Sequence, residues 1–274
     1  MSTATAPIVR HGRTGLAGQL SELGVERNGV LLVHASIRAV GTVGGGVGAV
    51  VGALRDALGE HGTLVVPAFT PENSDTSAHY LDRVRGLTDQ AREAVRASMP
   101  PFDAATSAAP SMGRLAEAVR LTEEAVRSGH PQTSFAALGP LARNLVADHR
   151  SDCHLGEDSP LARLYDLRAQ VLLLGTGFDT CTAFHLGEYR VPVPPRRSYR
   201  CVVTTEGRRH WWEYEDVALD DGDFAALGAD FAHSDNGAAV RTGPVGASTS
   251  RLFRLTDAVD FASRWLSSHR GGCR

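Results

Sequence analysis

The chain contains no lysine, so every one of its 28 basic residues is arginine. Against them stand 31 acidic residues, and with a net charge of −3 and an isoelectric point near 6.4 the protein has no electrostatic footprint for nucleic acid. A bias so uniform reads as compositional, and no binding site is inferred from it. Cysteine is also scarce: Cys153, Cys181, Cys201 and Cys273 lie far apart without CxxC spacing, against both a zinc site and a disulfide framework. His34, His79, His130, His154, His185, His210 and His233 are scattered, with no HxxxH or HExxH helix, so no metal is expected. There is no Gly-x-Ser-x-Gly elbow for a serine hydrolase. No segment has the ~18 uninterrupted apolar residues of a membrane span, and the first residues lack the apolar core of a secretion signal. A soluble, cytoplasmic protein without a membrane partner is expected. Internal repeats and linkers rich in proline, glycine or serine are missing too. With 42% hydrophobic residues the chain can bury a sizeable core, and residues 1–274 read as one intertwined domain.

What is present is a series of short apolar runs of buried-strand type alternating with helical periodicity. Val30-Leu-Leu-Val33, Thr63-Leu-Val-Val66 and Val171-Leu-Leu-Leu-Gly175 are the strand candidates. Helices are expected over Gly15–Leu23, Ala49–Leu58, Leu87–Ala97, Met112–Val119, Leu141–Ala147, Leu161–Leu167 and Leu255–Leu266. Ser159-Pro160 has the form of an N-cap followed by proline at the first helical position. Arg200–Thr205 and His210–Tyr214 read as antiparallel strands around Glu206-Gly207, with Gly-rich turns near Gly243. The segment from Thr70 to Pro110 is polar and irregular, a pattern usually functional or mobile. Strand, Gly-rich loop, helix and strand in that order make a parallel pair. The expected class is α/β: a mixed, largely parallel central sheet with helices on both faces.

Chemistry-bearing residues gather in three places. Behind the third apolar run stands Asp179-Thr-Cys-Thr-Ala-Phe-His185-Leu-Gly-Glu188, at the strand edge where open α/β sheets bind ligands. His185 has the side chain suited to taking a proton near neutrality, and Thr182 and Glu188 lie three residues either side, on one face of a helical turn. The same residues also read as a plain helix start, with Thr180 or Thr182 as N-cap. Near residues 34–48, His34, Ser36 and Gly44-Gly45-Gly46 precede a helix, so backbone N–H groups there could meet a phosphate. The loop is neither a Walker loop nor GxGxxG, and a turn in which glycine only relieves strain is the competing reading. Finally, near 211–223, Trp211-Trp212 lead into Glu213, Glu215, Asp216, Asp220, Asp221 and Asp223. Such a patch suits a polycationic ligand, or is ordinary solvated surface.

Ordered motifs connect these places: His34-Ala-Ser-Ile-Arg-Ala-Val-Gly-Thr-Val-Gly-Gly-Gly46, Gly62-Thr-Leu-Val-Val-Pro67, Pro101-Phe-Asp103, Met112-Gly113, Arg127-Ser-Gly-His-Pro-Gln-Thr-Ser-Phe-Ala-Ala-Leu-Gly139, Ser159-Pro-Leu161 and Thr182-Ala-Phe-His185-Leu-Gly-Glu188. Carrying them, the chain resembles the aminoglycoside 3-N-acetyltransferases from roughly Gly29 to the last helix. The resemblance implies acetyl-coenzyme A as donor and the 3-amine of a 2-deoxystreptamine antibiotic as acceptor. It implies His185 as general base, Thr182 close to the reacting carbonyl, and a coenzyme A site built from His34, Ser36, Thr42, Val43, Gly44, Gly45 and Gly46, with Ser134 and Phe135 nearby. A carboxylate after the tryptophans, Glu213 first and Asp216 second, is expected to orient His185 or hold the acceptor; Asp103, Asp179 and Glu188 are further expected acceptor contacts. The chain departs from the family by Ser128-Gly-His-Pro in place of Asp-His-Pro and by Cys181 in place of an asparagine.

Direct attack is the expected route, with Cys181 the one residue placed to make an acyl-enzyme instead. Two other readings stand beside it: an N-acetyltransferase of the same fold acting on another amine, such as a biosynthetic intermediate, and a coenzyme A or nucleotide-binding module without catalysis.

Overall fold

The computed structural model describes residues 11–234 and 240–270; Cys273 lies outside them. Three apolar runs form the heart of the sheet as β1 (Val30–Ala35), β2 (Thr63–Pro67) and, later in the chain, β5 (Gln170–Leu174), with β1 parallel to both neighbours. Short strands β3 (Val126–Arg127) and β4 (Phe135–Leu138) extend one side and pair antiparallel. On the other side β9 (Ser248–Arg254) and β8 (Arg241–Val245) do the same, giving the order β3-β4-β2-β1-β5-β9-β8 among the described residues. The sheet is therefore mixed, with its parallel part confined to the buried centre, as expected for strands covered on both faces.

Period-two alternation explains why those runs are apolar throughout. Leu31, Val33, Leu64, Val66, Leu172 and Leu174 face one layer, packed against α1 (Arg13–Leu23) and α3 (Gly46–Leu58). Val30, Leu32, Val65, Val171 and Leu173 face the other, against α8 (Pro160–Asp166), α9 (Ala183–Tyr189), α10 (Phe224–His233) and α11 (Leu255–His269). Between them in sequence, the short α2 (Ile37–Val40) follows β1, α4 (Ala78–Arg83) and α5 (Asp89–Ser98) lie in the irregular segment, α6 (Gly113–Arg120) joins the first layer and α7 (Ala142–Val146) the second. Ser159 caps α8 by accepting from Leu161 N, with Pro160 at the first position.

A separate hairpin, β6 (Arg196–Thr205) and β7 (Arg208–Val217), turns through Glu206 and Gly207 at φ 52° and 74°. Two positive φ angles match the twist of a two-residue hairpin loop. The irregular segment is fastened to this hairpin. Phe102 N donates to Val202 O at 3.1 Å, Ser74 pairs with Cys201, and Arg200 Nε reaches Asp75 at 3.0 Å. Helix α5 itself buries no residue.

Helix α10 and strands β8 and β9 are among the elements that escape the sequence pattern. In α10 the interior glycine, Gly228, leaves room for the Phe178 side chain, whose Cβ and ring any Cβ there would overlap. Strand β8 carries Gly243 and Pro244, tolerable because it is an edge strand, and β9 is largely polar.

Candidate active site

The carboxyl ends of β1 and β5 open onto a cleft of about 560 Å³. His34 and Ser36 enter it from β1 and the cap of α2, Thr182 and His185 from the start of α9, and Phe224 from α10. Ser36 Oγ accepts from Ala39 N at 3.4 Å, which fixes the turn after β1. Asp179 and Asp221 are exposed carboxylates on one part of the lining, and Arg38 and Arg114 are exposed guanidinium groups elsewhere on it.

His185 is held on several sides. Its Nδ1–H donates to Glu188 Oε2 at 2.6 Å, one helical turn away, and its ring lies 4.7 Å from that of Phe224. Glu188 is only 4% exposed; its other oxygen accepts from Asp220 N at 3.0 Å and from Arg270 Nη1 at 2.5 Å. A carboxylate so fixed commits Nδ1 to carrying the proton and leaves Nε2 as the basic nitrogen. Cleft residue His34 is kept neutral: burial, and then the neighbouring His185, bring its pKa down to about 3. Cys181 also borders the cleft, yet it is fully buried, and burial pushes its thiol up to about 12. A thiol with so little thiolate at neutral pH is a poor nucleophile.

Several expected site residues lie elsewhere. Glu213 is exposed on β7 opposite Arg200, and the position beside His185 belongs to Glu188. Glu188, expected as an acceptor contact, has both of its oxygens engaged within the protein. Asp216 is buried and spent on His154 N (2.7 Å), Val217 N (2.7 Å) and the Tyr189 hydroxyl. Asp103 is exposed away from the cleft lining, where Oδ1 closes a turn by accepting from Ala105 N and Thr106 N. Ser134 and Phe135 are 0% exposed, Phe135 in the core and Ser134 donating to Ala68 O at 2.8 Å, and neither borders the cleft. The Thr42–Gly46 loop lies beyond the cleft lining, between α2 and α3, and is mostly exposed. Two of its amides are already used, Gly44 N by His11 O at 2.9 Å and Gly46 N by Val43 O at 3.0 Å.

The motif from Arg127 to Gly139 builds an interior instead. His130 lies 4.8 Å and 4.6 Å, ring to ring, from His149 and His154. His130 Nδ1 accepts from Gln132 N and Thr133 N, and His149 Nδ1 accepts from the Ser128 hydroxyl at 2.9 Å. Both rings are thereby neutral, as burial dictates. His149 is brought to about 4 and His154 to about 3, chiefly by desolvation, and His130 falls well below its ordinary value for the same reason. Among the described residues no three His, Cys, Asp or Glu side chains gather into a metal site, and no helix is long and apolar enough to cross a membrane.

Sequence reasoning overlooked Arg38, Arg114, Phe224 and Arg270. The first two stand inside or beside recognised motifs and were discounted with the arginine bias; the others reach the site only through tertiary packing.

The chain as a whole has counterparts. Residues 32–267 match the family model for aminoglycoside 3-N-acetyltransferase. Aminoglycoside N(3)-acetyltransferase VII of Streptomyces paromomycinus is 38% identical, over 94% of this chain and 92% of its own. The SPbeta prophage-derived aminoglycoside N(3')-acetyltransferase-like protein YokD of Bacillus subtilis (strain 168) is 36% identical over 93% of this chain and 92% of its own. The crystal structure of YokD superposes with a TM-score of 0.88, covering 97% of both chains. AAC-IIIb in a binary complex with CoASH gives 0.81 at 30% identity, covering 95% of this chain and 97% of its own. AAC-VIa bound to sisomicin gives 0.79 at 29% identity, covering 95% and 99%. With its fold and nearly its whole length matched in this way, the chain belongs to the aminoglycoside 3-N-acetyltransferase family.

Proposed function

We propose that this protein transfers an acetyl group from acetyl-coenzyme A to the 3-amine of a 2-deoxystreptamine aminoglycoside, with His185 as general base. The observation that carries this reading is the imidazole at the cleft, its Nδ1–H fixed by buried Glu188 at 2.6 Å. Only the neutral amine can attack a thioester, so the acceptor's ammonium form first gives one proton to solvent, and a neutral Nε2 takes a second proton from nitrogen as the C–N bond forms. The tetrahedral intermediate then expels the coenzyme A thiolate as the C–S bond breaks, and His185 returns the proton to sulfur. Thr182, one turn before His185 and bordering the same cleft, is suited to the developing oxyanion. Such a donor typically supplies about 3–4 kcal/mol. The neutral Cys181 thiol favours direct transfer over an acyl-enzyme. Incubating the purified protein with acetyl-coenzyme A and a panel of aminoglycosides, following thiol release and reading the acetylated position by NMR, tests the reading. No turnover with any of them would overturn it.

For the donor, Arg38 and Arg114 suit its phosphates, with the Gly-rich loop contributing its remaining amides at the start of α3. The informative substitution is Gly44→Val. Gly45 and Gly46 have φ of 83° and 63°, so any side chain there strains the backbone regardless of ligand. Gly44 lies outside that region, and its Cβ would meet only His11 O at 3.8 Å. The Gly44→Val protein is expected to fold normally and to bind acetyl-coenzyme A more weakly by calorimetry. Unchanged binding would remove the loop from the donor site.

For the acceptor, Asp179 and Asp221 are the available anionic partners. Asp179→Asn is expected to raise the acceptor KM several-fold at 0.1 M salt and by less at 1 M, as the Debye length falls from about 10 Å to about 3 Å. Glu213→Gln should leave both constants unchanged. An acceptor KM indifferent to salt and to Asp179→Asn would exclude a polycation held at this rim.

A further inference from the structure

Arg270 closes α11, 82 residues from Glu188 in sequence, and its guanidinium joins two carboxylates. Nη1 donates to Glu188 Oε1 at 2.5 Å, Nε to Asp223 Oδ2 at 2.8 Å, and Nη2 to Asp220 O at 2.6 Å and to Asp223 Oδ1. Those bonds act on both walls of the His185 ring. Through Glu188 they reach the carboxylate on Nδ1; through Asp220 and Asp223 they pin the start of α10, from which Phe224 packs on the imidazole.

We propose that Arg270 is a positioning residue that sets the basicity of His185 by offsetting the charge of Glu188. The proposal rests on the acetyl-transfer reading only where activity is the readout. The groups facing His185 are Glu188 on its own helix, Asp179 on the turn before it, His34 on β1, His154 between α7 and α8, Asp221 and Asp223 at the start of α10, and Arg270. Both neighbouring histidines are neutral, so the ionic balance at the ring is set by the carboxylates and by Arg270. Burial works against the Arg270 charge, but its bonds to Asp223 and Glu188 more than offset that, and the group stays cationic.

Removing this cation leaves the negative charge of Glu188 unopposed beside imidazolium, so His185 holds its proton to higher pH. Arg270→Met is expected to move the acid limb of the kcat/KM profile up by about one pH unit, as one charge at this range implies. Activity falls about tenfold at pH values well below the limb, by less near it, and recovers toward alkaline pH. Arg270→Lys restores the limb, because it restores the charge. Asp223→Asn shifts the limb the opposite way, since it removes a competing anion from Arg270. NMR titration of the His185 imidazole in the same variants reads the shift without any substrate, so the proposal can fail independently of the acetyl-transfer reading. Folding is checked by the cooperative melt. A folded Arg270→Met protein whose imidazole titrates as in wild type, or whose activity loss is equal at every pH, would overturn the proposal. A downward shift would overturn it equally, because Glu188 would then have taken up a proton.

Discussion

Replacing His185 with glutamine is expected to cut kcat by ~10²–10⁴-fold, the range for loss of a general base. Glutamine can still donate toward Glu188 but cannot accept the proton of an attacking amine. Little else should change. Glu188 keeps Asp220 N and Arg270, so its buried charge is not orphaned, and the ring removed lies at a partly open position rather than in the core. Acetyl-coenzyme A affinity should therefore stay within about twofold, and the melting temperature within a few degrees. The acid limb of the residual activity should flatten, since the group that titrates there is gone. Should a folded His185→Gln protein retain kcat within a factor of about three, the assignment of the base is wrong.

Lowering the pH from 7 to 5 is expected to destabilise the protein far more than a comparable chain with exposed histidines. His34, His130, His149 and His154 are buried neutral, with folded-state pKa values of about 3, well below 6.5, about 4 and about 3. In the unfolded chain each titrates near 6.5. The sign follows from which state binds more protons. Between roughly pH 6.5 and the folded-state values, the unfolded chain carries protons that the folded one refuses, so stability falls with falling pH. Above 6.5 neither state is protonated and the effect vanishes. Each such histidine lowers the folding equilibrium constant by up to about tenfold per pH unit in this window. His130→Gln or His149→Gln should flatten the slope, even where it lowers stability at pH 7. Urea unfolding midpoints at pH 7.5, 6.0 and 5.0 test this. A midpoint constant across that range would mean the rings are charged in the folded protein.

How far sequence carried the structure depends on whether a signal was local. The three apolar runs became β1, β2 and β5 within a residue or two, because strands covered on both faces must be apolar at every position. Glu206-Gly207 announced the hairpin and Ser159-Pro160 the start of α8 by their own chemistry. Edge strand β8 and its neighbour β9 carry no strand signal: half-exposed, they hold arginine, serine, glycine and proline where a core strand carries valine. Helix α10 was hidden by Gly228, whose role is to receive Phe178 from another segment. In the site, the spacing Thr182-x-x-His185-x-x-Glu188 was legible because one helical turn contains it. Its meaning was only half legible. The resemblance offers Glu188 as an acceptor contact and Glu213, then Asp216, as the carboxylate that orients His185 or holds the acceptor; the structure puts buried Glu188 on Nδ1, and burial is a property no spacing encodes. The Ser134-Phe135 pair and the buried histidines belong to the same class. Their motif builds an interior, which spacing does not announce.

The arginine-only composition gains a meaning at the cleft. A protein that holds a reactive thioester beside basic side chains exposes those side chains to acylation, and a lysine amine is the usual casualty. Arg38 and Arg114, the basic groups bordering this cleft, are guanidinium groups, which stay protonated at any working pH and offer no nucleophilic lone pair. The rim can therefore attract the donor's phosphates without competing for its acetyl group.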